Sequence, residues 1–152
     1  DGQNLYQGTR DEGWTVDYQK FRLYLRNKYQ AQRAFIFLGY IGKYQSLYDS
    51  LSCSGFELVF KPVIQSNSKK IVRYKGNVDA ELVLHTMIQY ENFDKAIIIS
   101  SDGDFYCLLE YLAEKSKLLK VITTNRKYPS LLRKMAPYIQ PIERMRSSIQ
   151  KK

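Results

Sequence analysis

Two aspartates follow directly after a run of aliphatic residues. The stretch "KAIIIS" (95–100) is typical of a buried parallel strand, and "SSDGDF" (100–105) then places Asp102 and Asp104 two residues apart. In open parallel sheets, ligand sites form beyond the carboxyl ends of the strands. The pair therefore predicts a ligand site at this edge of a sheet.

Two more aspartates can reach the same edge. Asp79 lies in the first turn of a helix predicted to begin near Asn77, and Asp1 opens the chain in a turn-like "DG". We expect a strand upstream of Asp1, which would put Asp1 at the carboxyl end of that strand. Four acidic groups distant in sequence are then predicted to converge on one rim.

Each of these aspartates has a structural alternative, because aspartate caps helix N-termini and Asp-Gly is an ordinary turn. A cap needs one carboxylate, however, and two like charges about 4 Å apart repel by roughly 4 kcal/mol at an effective dielectric constant near 20. A hard divalent cation compensates such a cluster with oxygen ligands. The cluster therefore favours a site for a hard divalent cation.

Other chemistries are poorly supported by the residue types. His85 is the one histidine and lies six residues past Asp79, on another side of the helix, which indicates a structural role and excludes a zinc or histidine-based nucleophile site. The "DGD" triplet lacks the longer pattern of a calcium loop. Cys53 and Cys107 are predicted to be reduced, mostly buried helix residues, which fits a cytoplasmic protein.

The elements that must position the aspartates alternate between strands and helices. Helical spacing predicts a helix from about Asp17 to Tyr29, a second closed by Gly55 and a short one around Ser130 to Met135. Two more helices lie between the last two. One has Ala80, Val83, Leu84, Met87 and Ile88 on one face, and the other has Phe105, Leu108, Leu109 and Leu112. Strands are predicted at 33–41, 56–63, 95–101 and 118–124, with a basic loop at 65–77 and a fraying tail at 143–152. This alternation predicts an α/β fold with a mostly parallel sheet and helices on both faces.

Three stretches resemble the signatures of the NYN domain, the LabA-like branch of the PIN-like metal-dependent nucleases. They are "DGQNLYQ" (1–7), "KGNVDAELVL" (75–84) and "IIISSDGDFYCLLEYL" (97–112). The resemblance implies a Rossmann-like three-layer α/β/α sandwich over residues 1–140, followed by a basic tail at 141–152. It also implies that Asp1, Asp79, Asp102 and Asp104 bind Mg²⁺ or Mn²⁺ beside Asn4, and that such domains often form homodimers.

The function implied is hydrolysis of phosphodiester bonds, most directly of RNA, by in-line attack of an activated water. Asn4 would orient a phosphate or a water, and Ser100 or Ser101 would hydrogen-bond a carboxylate. Substrate contacts are predicted at Ser101, at Arg73 and Lys75 before Asp79, and at Asn125 after the next strand, with Lys69, Lys70, Arg126 and Lys127 as further cations.

Composition agrees with a polyanionic partner. The chain carries 24 Lys and Arg against 15 Asp and Glu, a net charge of +9. It has no stretch of about 20 apolar residues that would cross a membrane. Two alternatives stay open: a PIN-like module that binds RNA or protein without cleaving, and an aspartyl-phosphate protein of receiver or phosphatase type.

Overall fold

The computed structural model describes residues 1–62, 64–66, 73–75 and 78–152, and for 64–66 and 73–75 it describes the backbone alone. The helices are α1 (Gly2–Asp11), α2 (Tyr18–Tyr29), α3 (Gln45–Cys53), α4 (Asp79–Ile88), α5 (Tyr106–Glu114) and α6 (Arg146–Ile149). The strands are β1 (Phe35–Gly39), β2 (Glu57–Lys61), β3 (Ile64–Ser66), β4 (Arg73–Lys75), β5 (Ala96–Ile99), β6 (Leu118–Thr123) and β7 (Ile139–Pro141).

Most of the strand pairing is parallel. β1 pairs with β2, and β5, β6 and β7 form a three-stranded sheet in that order. Only β3 and β4, among the described residues, pair antiparallel, and they occupy part of the segment predicted as a basic loop. That loop prediction is therefore wrong for residues 65–66 and 73–75.

Neighbouring residues of one strand face two different cores. Ile36 of β1 and Ile122 of β6 pack into a core with Phe21 of α2, whereas Phe37 and Val121 pack into a second core. The second core is covered by α4 and α5, whose buried residues are Leu82, Leu108, Leu109 and Leu112. Helices on both faces of parallel strands confirm the predicted α/β/α architecture.

Helix α2 matches its prediction because its start is encoded locally. Asp17 caps it by accepting a 3.1 Å hydrogen bond from the Lys20 backbone N–H, and the chain leaves the helix at Gln30 with φ of 57°. Phe21 and Leu25 then face the first core. The strands β1, β2, β5 and β6 likewise fall within their predicted segments.

Helix α4 is turned relative to the predicted face. Leu82 is buried, while Leu84 and Ile88 are each 62% exposed. The stripe that packs on β1 carries Val78, Leu82 and His85, whose ring lies 4.7 Å from that of Phe35, between centroids. The apolar face predicted from spacing is therefore wrong.

The end of the chain does not fray. Met145 and Ile149 are buried in the first core, and α6 packs against α2. Backbone hydrogen bonds of 2.8 Å from Asp17 to Ile149 and 2.9 Å from Lys151 to Thr15 fix this segment. The prediction of a mobile tail is wrong because its apolar residues, although few, complete a core.

Both cysteines are unpaired, as predicted, but exposed rather than buried. Cys53 ends α3 and Cys107 lies in the first turn of α5, each on the solvent side of its helix. The cytoplasmic location predicted from them stays a prediction. No helix within the described residues combines the length and the apolar character that crossing a bilayer requires.

Candidate metal centre

The segment after β5 is held in a tight turn. The Asp102 backbone N–H donates to Ser100 Oγ at 3.1 Å, and Asp102 Oδ1 accepts from the Asp104 backbone N–H at 2.9 Å. Phe105, only 1% exposed, anchors the helical turn Gly103–Phe105 in the second core. The strand and this turn together place both aspartates at the carboxyl end of the sheet.

Asp79 reaches the same place from another element. It is the first residue of α4, which is seated by the buried side chains of Val78 and Leu82. Oxygen atoms of Asp79, Asp102 and Asp104 all lie within 4.8 Å of one another. Asp79 and Asp102 are half-buried, and Asp104 is exposed.

Asp1 is not part of this group of three. Its Oδ1 accepts hydrogen bonds from the backbone N–H groups of Gln3 (3.0 Å) and Asn4 (3.1 Å), so the carboxylate caps α1. The backbone nitrogen of Asp1 is buried and lies close enough to Asp79 for the two to interact electrostatically. Asp1 therefore borders the centre through its backbone.

Asn4 joins helix α1 to the ends of two strands. Its Oδ1 accepts a 2.9 Å hydrogen bond from the Ser101 backbone N–H and a 2.6 Å hydrogen bond from Thr124 Oγ1. Both bonds hold Asn4 in place through its Oδ1, which makes it a positioning residue between α1 and the strand ends. The contact with a phosphate, which its amide N–H group would make, or with a metal-bound water stays a prediction.

Ser101 has a similar internal role. The residue is 6% exposed, and its hydroxyl oxygen accepts hydrogen bonds from the backbone N–H groups of Thr124 (2.7 Å) and Asn125 (3.3 Å). Its hydroxyl also lies 3.0 Å from Thr124 Oγ1. The Ser101 hydroxyl is thus engaged within the protein, and the substrate contact predicted for Ser101 stays a prediction.

Thr124 was missed by the sequence reasoning, although the signal was available. It follows directly after β6 in "VITT", and the rule that polar residues at strand ends build sites applies to it as it does to Asp102. Gly8 lies against it: a Cβ on Gly8 would be 2.7 Å from Thr124 Oγ1 and 2.8 Å from the Thr124 carbonyl oxygen. The glycine thus lets α1 approach the strand end closely enough for Asn4 to bond.

The predicted cations have different outcomes. Arg126 and Lys127 are both exposed, and Arg126 also pairs on the surface with Glu12 and Glu143, each with a carboxylate oxygen 3.5 Å away. Asn125 follows β6 as predicted, and its buried Oδ1 accepts no hydrogen bond in the described part of the chain. Arg73 and Lys75 have described backbone in β4 but no described side chain, and Lys69 and Lys70 lie outside the described residues.

The three carboxylates fit a hard divalent cation. At 4.8 Å, two unit charges in an effective dielectric constant of about 20 repel by on the order of 3 kcal/mol, less for pairs that include the exposed Asp104. Carboxylate oxygens at this spacing are the ligands that Mg²⁺ and Mn²⁺ prefer.

His85 lies between the rings of Phe35 and Phe37, which confirms its structural role.

Comparison with known proteins defines the class. The NYN domain family matches residues 1–143, so the chain belongs to the NYN domain family, within the PIN-like nuclease superfamily. The resemblance stated from the sequence is confirmed.

Two known proteins are similar to this chain over nearly its whole length. The low amplitude and bright protein LabA of Synechococcus elongatus is 24% identical, over 99% of this chain and 85% of the relative. A crystal structure of a Vibrio parahaemolyticus protein of unknown function superposes with a TM-score of 0.78 and 23% identity, covering 99% of this chain and 92% of that one. The latter likeness shows the shared fold.

Proposed function

We propose that this protein is a metal-dependent nuclease that hydrolyses phosphodiester bonds of RNA, with Mg²⁺ or Mn²⁺ held by Asp79, Asp102 and Asp104. The observation that carries the proposal is the meeting of these three carboxylates at the strand ends in a chain of the NYN family.

Each residue has a defined task in this proposal. When bound, the cation would supply a Lewis acid that activates water and offsets the charge developing on the phosphate. Asp79 and Asp102 would hold it from two different elements, with the exposed Asp104 as a third ligand. Asp1 caps α1 through Oδ1 and borders the centre, and a metal contact from its other carboxylate oxygen remains part of the proposal.

The surrounding chain supports a polyanionic substrate. A net charge of +9 favours phosphate backbones, and phosphate contacts from Lys75, Arg73 and Asn125 remain part of the proposal. RNA is preferred to DNA because the NYN resemblance implies it. A homodimer remains a prediction.

The test is cleavage of a labelled single-stranded RNA with Mn²⁺, with Mg²⁺ and with EDTA. We expect metal-dependent cleavage that Asp102→Asn reduces at least about 100-fold, since one of three ligand charges is lost. Asp94→Asn is the matched control, because Asp94 is an exposed aspartate in the turn before β5. Its cleavage rate should equal that of the wild type.

A binding module would give a different result. RNA bound with equal affinity by the wild type and Asp102→Asn, with no cleavage in any metal, would contradict the nuclease and favour a non-catalytic domain. Trapping of a covalent phosphoryl group on an aspartate would instead assign the third alternative.

A further inference from the structure

Three aromatic side chains form a cluster at the carboxyl ends of β1 and β2. Tyr40, which follows β1, is 46% exposed, and Phe60 of β2 is 39% exposed; their rings meet edge to face with centroids 5.4 Å apart. Beneath them lies Tyr48 of α3, which is 4% exposed, with its ring centroid 4.8 Å from that of Phe60 and 5.8 Å from that of Tyr40. We call these three residues the aromatic platform.

The backbone that carries Tyr40 is fixed on both sides. The Tyr48 hydroxyl donates to the Gly39 carbonyl oxygen at 3.2 Å and accepts from the Ile41 backbone N–H at 3.0 Å. The Tyr40 backbone N–H donates to the carbonyl oxygen of Lys61 at 3.0 Å. An exposed ring on a fixed backbone loses little conformational freedom when something stacks on it.

Ion pairing connects the aromatic platform to the candidate metal centre. Lys61, next to Phe60, pairs with Glu81 at 3.3 Å between Nζ and Oε2. Glu81 lies in the first turn of α4, as does Asp79. The carboxyl end of β2 therefore lies beside the helix start that supplies one of the three carboxylates.

Close packing of α1 provides the second connection. A Cβ on Gly2 would clash with Leu38 Cδ2, so the start of α1 touches β1 directly. Tyr40 comes two residues after Leu38, about 7 Å further along the strand direction. The aromatic platform is thus connected to the candidate metal centre through the starts of α4 and α1.

A lysine and another tyrosine extend this surface. Lys43 is exposed, with its Nζ 5.0 Å from the ring centroid of Tyr44, and the Tyr44 side chain is exposed too. Space is open at the neighbouring Gly42, where a Cβ would meet nothing within 4 Å. Exposed aromatic faces beside a cation are what proteins use to hold single-stranded nucleic acid.

We propose that the aromatic platform stacks an unpaired base of a nucleic-acid strand whose backbone runs on to the candidate metal centre. The proposal deepens the proposed function and rests on it for the position of the strand. It names the substrate class as single-stranded, because a base inside a duplex is already stacked on both faces. Charge favours a nucleic acid over a protein partner here, since Lys43 and the net charge of +9 complement phosphate.

Binding without metal tests the platform separately from cleavage. Fluorescence anisotropy would follow a labelled 12-nucleotide single-stranded RNA of mixed sequence in EDTA. We expect Tyr40→Ala to weaken binding about 10-fold, by loss of one stacking contact, and Tyr40→Phe to stay within about 2-fold, because the ring face is kept. Tyr111→Ala is the matched control, since Tyr111 is an exposed tyrosine toward the end of α5, and it should bind like the wild type.

A scan with abasic nucleotides sharpens this test. One base is removed at each position of the RNA in turn, and we expect one or two positions to weaken binding to the wild type. The same positions should have no effect in Tyr40→Ala, because the base has lost its partner. Tyr44→Ala, at the exposed edge, provides a second variant should Tyr40→Ala fail to fold by circular dichroism.

Two results would overturn the proposal. One is equal affinity, or an equal abasic profile, for the wild type and the alanine variants. The other is an unchanged RNA affinity together with loss of self-association in sedimentation, which would assign the aromatic platform to a second copy of the chain.

Failure of the platform and failure of the nuclease are distinguishable. Suppose that RNA binding depends on the aromatic platform and persists in Asp102→Asn, while the wild type cleaves in no metal. This result would support the aromatic platform and contradict the nuclease proposal. Suppose instead that cleavage depends on metal and that Tyr40→Ala leaves its KM unchanged. This result would support the nuclease proposal and contradict the aromatic platform.

Discussion

Thr124 Oγ1 donates a 2.6 Å hydrogen bond to Asn4 Oδ1, across 120 positions of sequence. Because Asn4 lies in the first turn of α1 and Thr124 follows β6, this bond fixes the start of a helix against the end of a strand. Asp1 caps that same helix end beside Asp79. The geometry of the candidate metal centre therefore depends on a contact that involves none of its three carboxylates.

Replacing Thr124 by valine should destabilise the protein and weaken the metal site. Asn4 Oδ1 would lose one of its two partners in a half-buried place and keep the other, and one such hydrogen bond contributes about 0.5–1.5 kcal/mol. We expect this loss in the free energy of unfolding by urea, together with weaker Mn²⁺ binding by calorimetry.

The neighbouring threonine provides the matched control for this change. Thr123 is fully buried, and its Oγ1 has no hydrogen-bond partner among the described residues. Thr123→Val should therefore be neutral or stabilising. Equal destabilisation by both changes would contradict the role given to the Asn4–Thr124 bond.

Gly8→Ala should destabilise the protein although alanine favours helices by about 1 kcal/mol over glycine. The added Cβ would lie within 2.8 Å of three Thr124 atoms, one of them the backbone carbonyl oxygen, which cannot move without moving β6. We expect a net loss of about 1–3 kcal/mol in thermal or urea unfolding. Gly42→Ala, where the Cβ meets nothing within 4 Å, should leave stability within about 0.5 kcal/mol.

Charge repulsion predicts that the carboxylate cluster weakens the metal-free protein. Asp79→Asn and Asp102→Asn should each raise the metal-free Tm, by about 2–4 °C per kcal/mol of repulsion removed. Asparagine can still cap the turn that Asp102 begins, so the change isolates the charge.

Adding metal should reverse the order of these stabilities. Millimolar Mn²⁺ should raise the Tm of the wild type and have little effect on the two variants, because fewer ligand charges remain. Asp94→Asn should respond like the wild type. A wild-type Tm that does not change with Mn²⁺ would count against a shared metal site.

Alkaline pH should destabilise the protein through Tyr18. Burial raises the pKa of its phenol from the usual 10.0 to about 12, and the nearby Tyr6 acts in the same direction. Because the folded-state pKa is the higher one, the stabilisation is complete below about pH 10 and is lost as the pH rises toward 12. Tyr18→Phe should therefore lose on the order of 2 kcal/mol less than the wild type between pH 10 and pH 12, measured from urea midpoints. Parallel curves for the two proteins would contradict this assignment.

Local signals predicted the parts of the fold that local chemistry fixes. The Asp17 cap and the alternation of strands and helices need only neighbouring residues, and Asp102 and Asp104 sit at a strand end because "KAIIIS" ends there. Helix α4 shows where this reasoning stops: spacing tells which residues share a face, but β1 decided that the stripe of Val78, Leu82 and His85 would be buried.

The amino-acid sequence by itself determined the fold class, the family and three aspartates as a candidate centre. Each of these depends on short stretches whose residue types and order can be recognised directly in the sequence. Only the tertiary structure decided that Asp79 joins Asp102 and Asp104 while Asp1 caps its own helix. It also decided that Asn4 and Ser101 bond to Thr124 and that the last residues complete a core. These outcomes depend on how closely distant elements pack, a property set by side-chain volume and hydrogen bonding between segments rather than by any pattern within one segment.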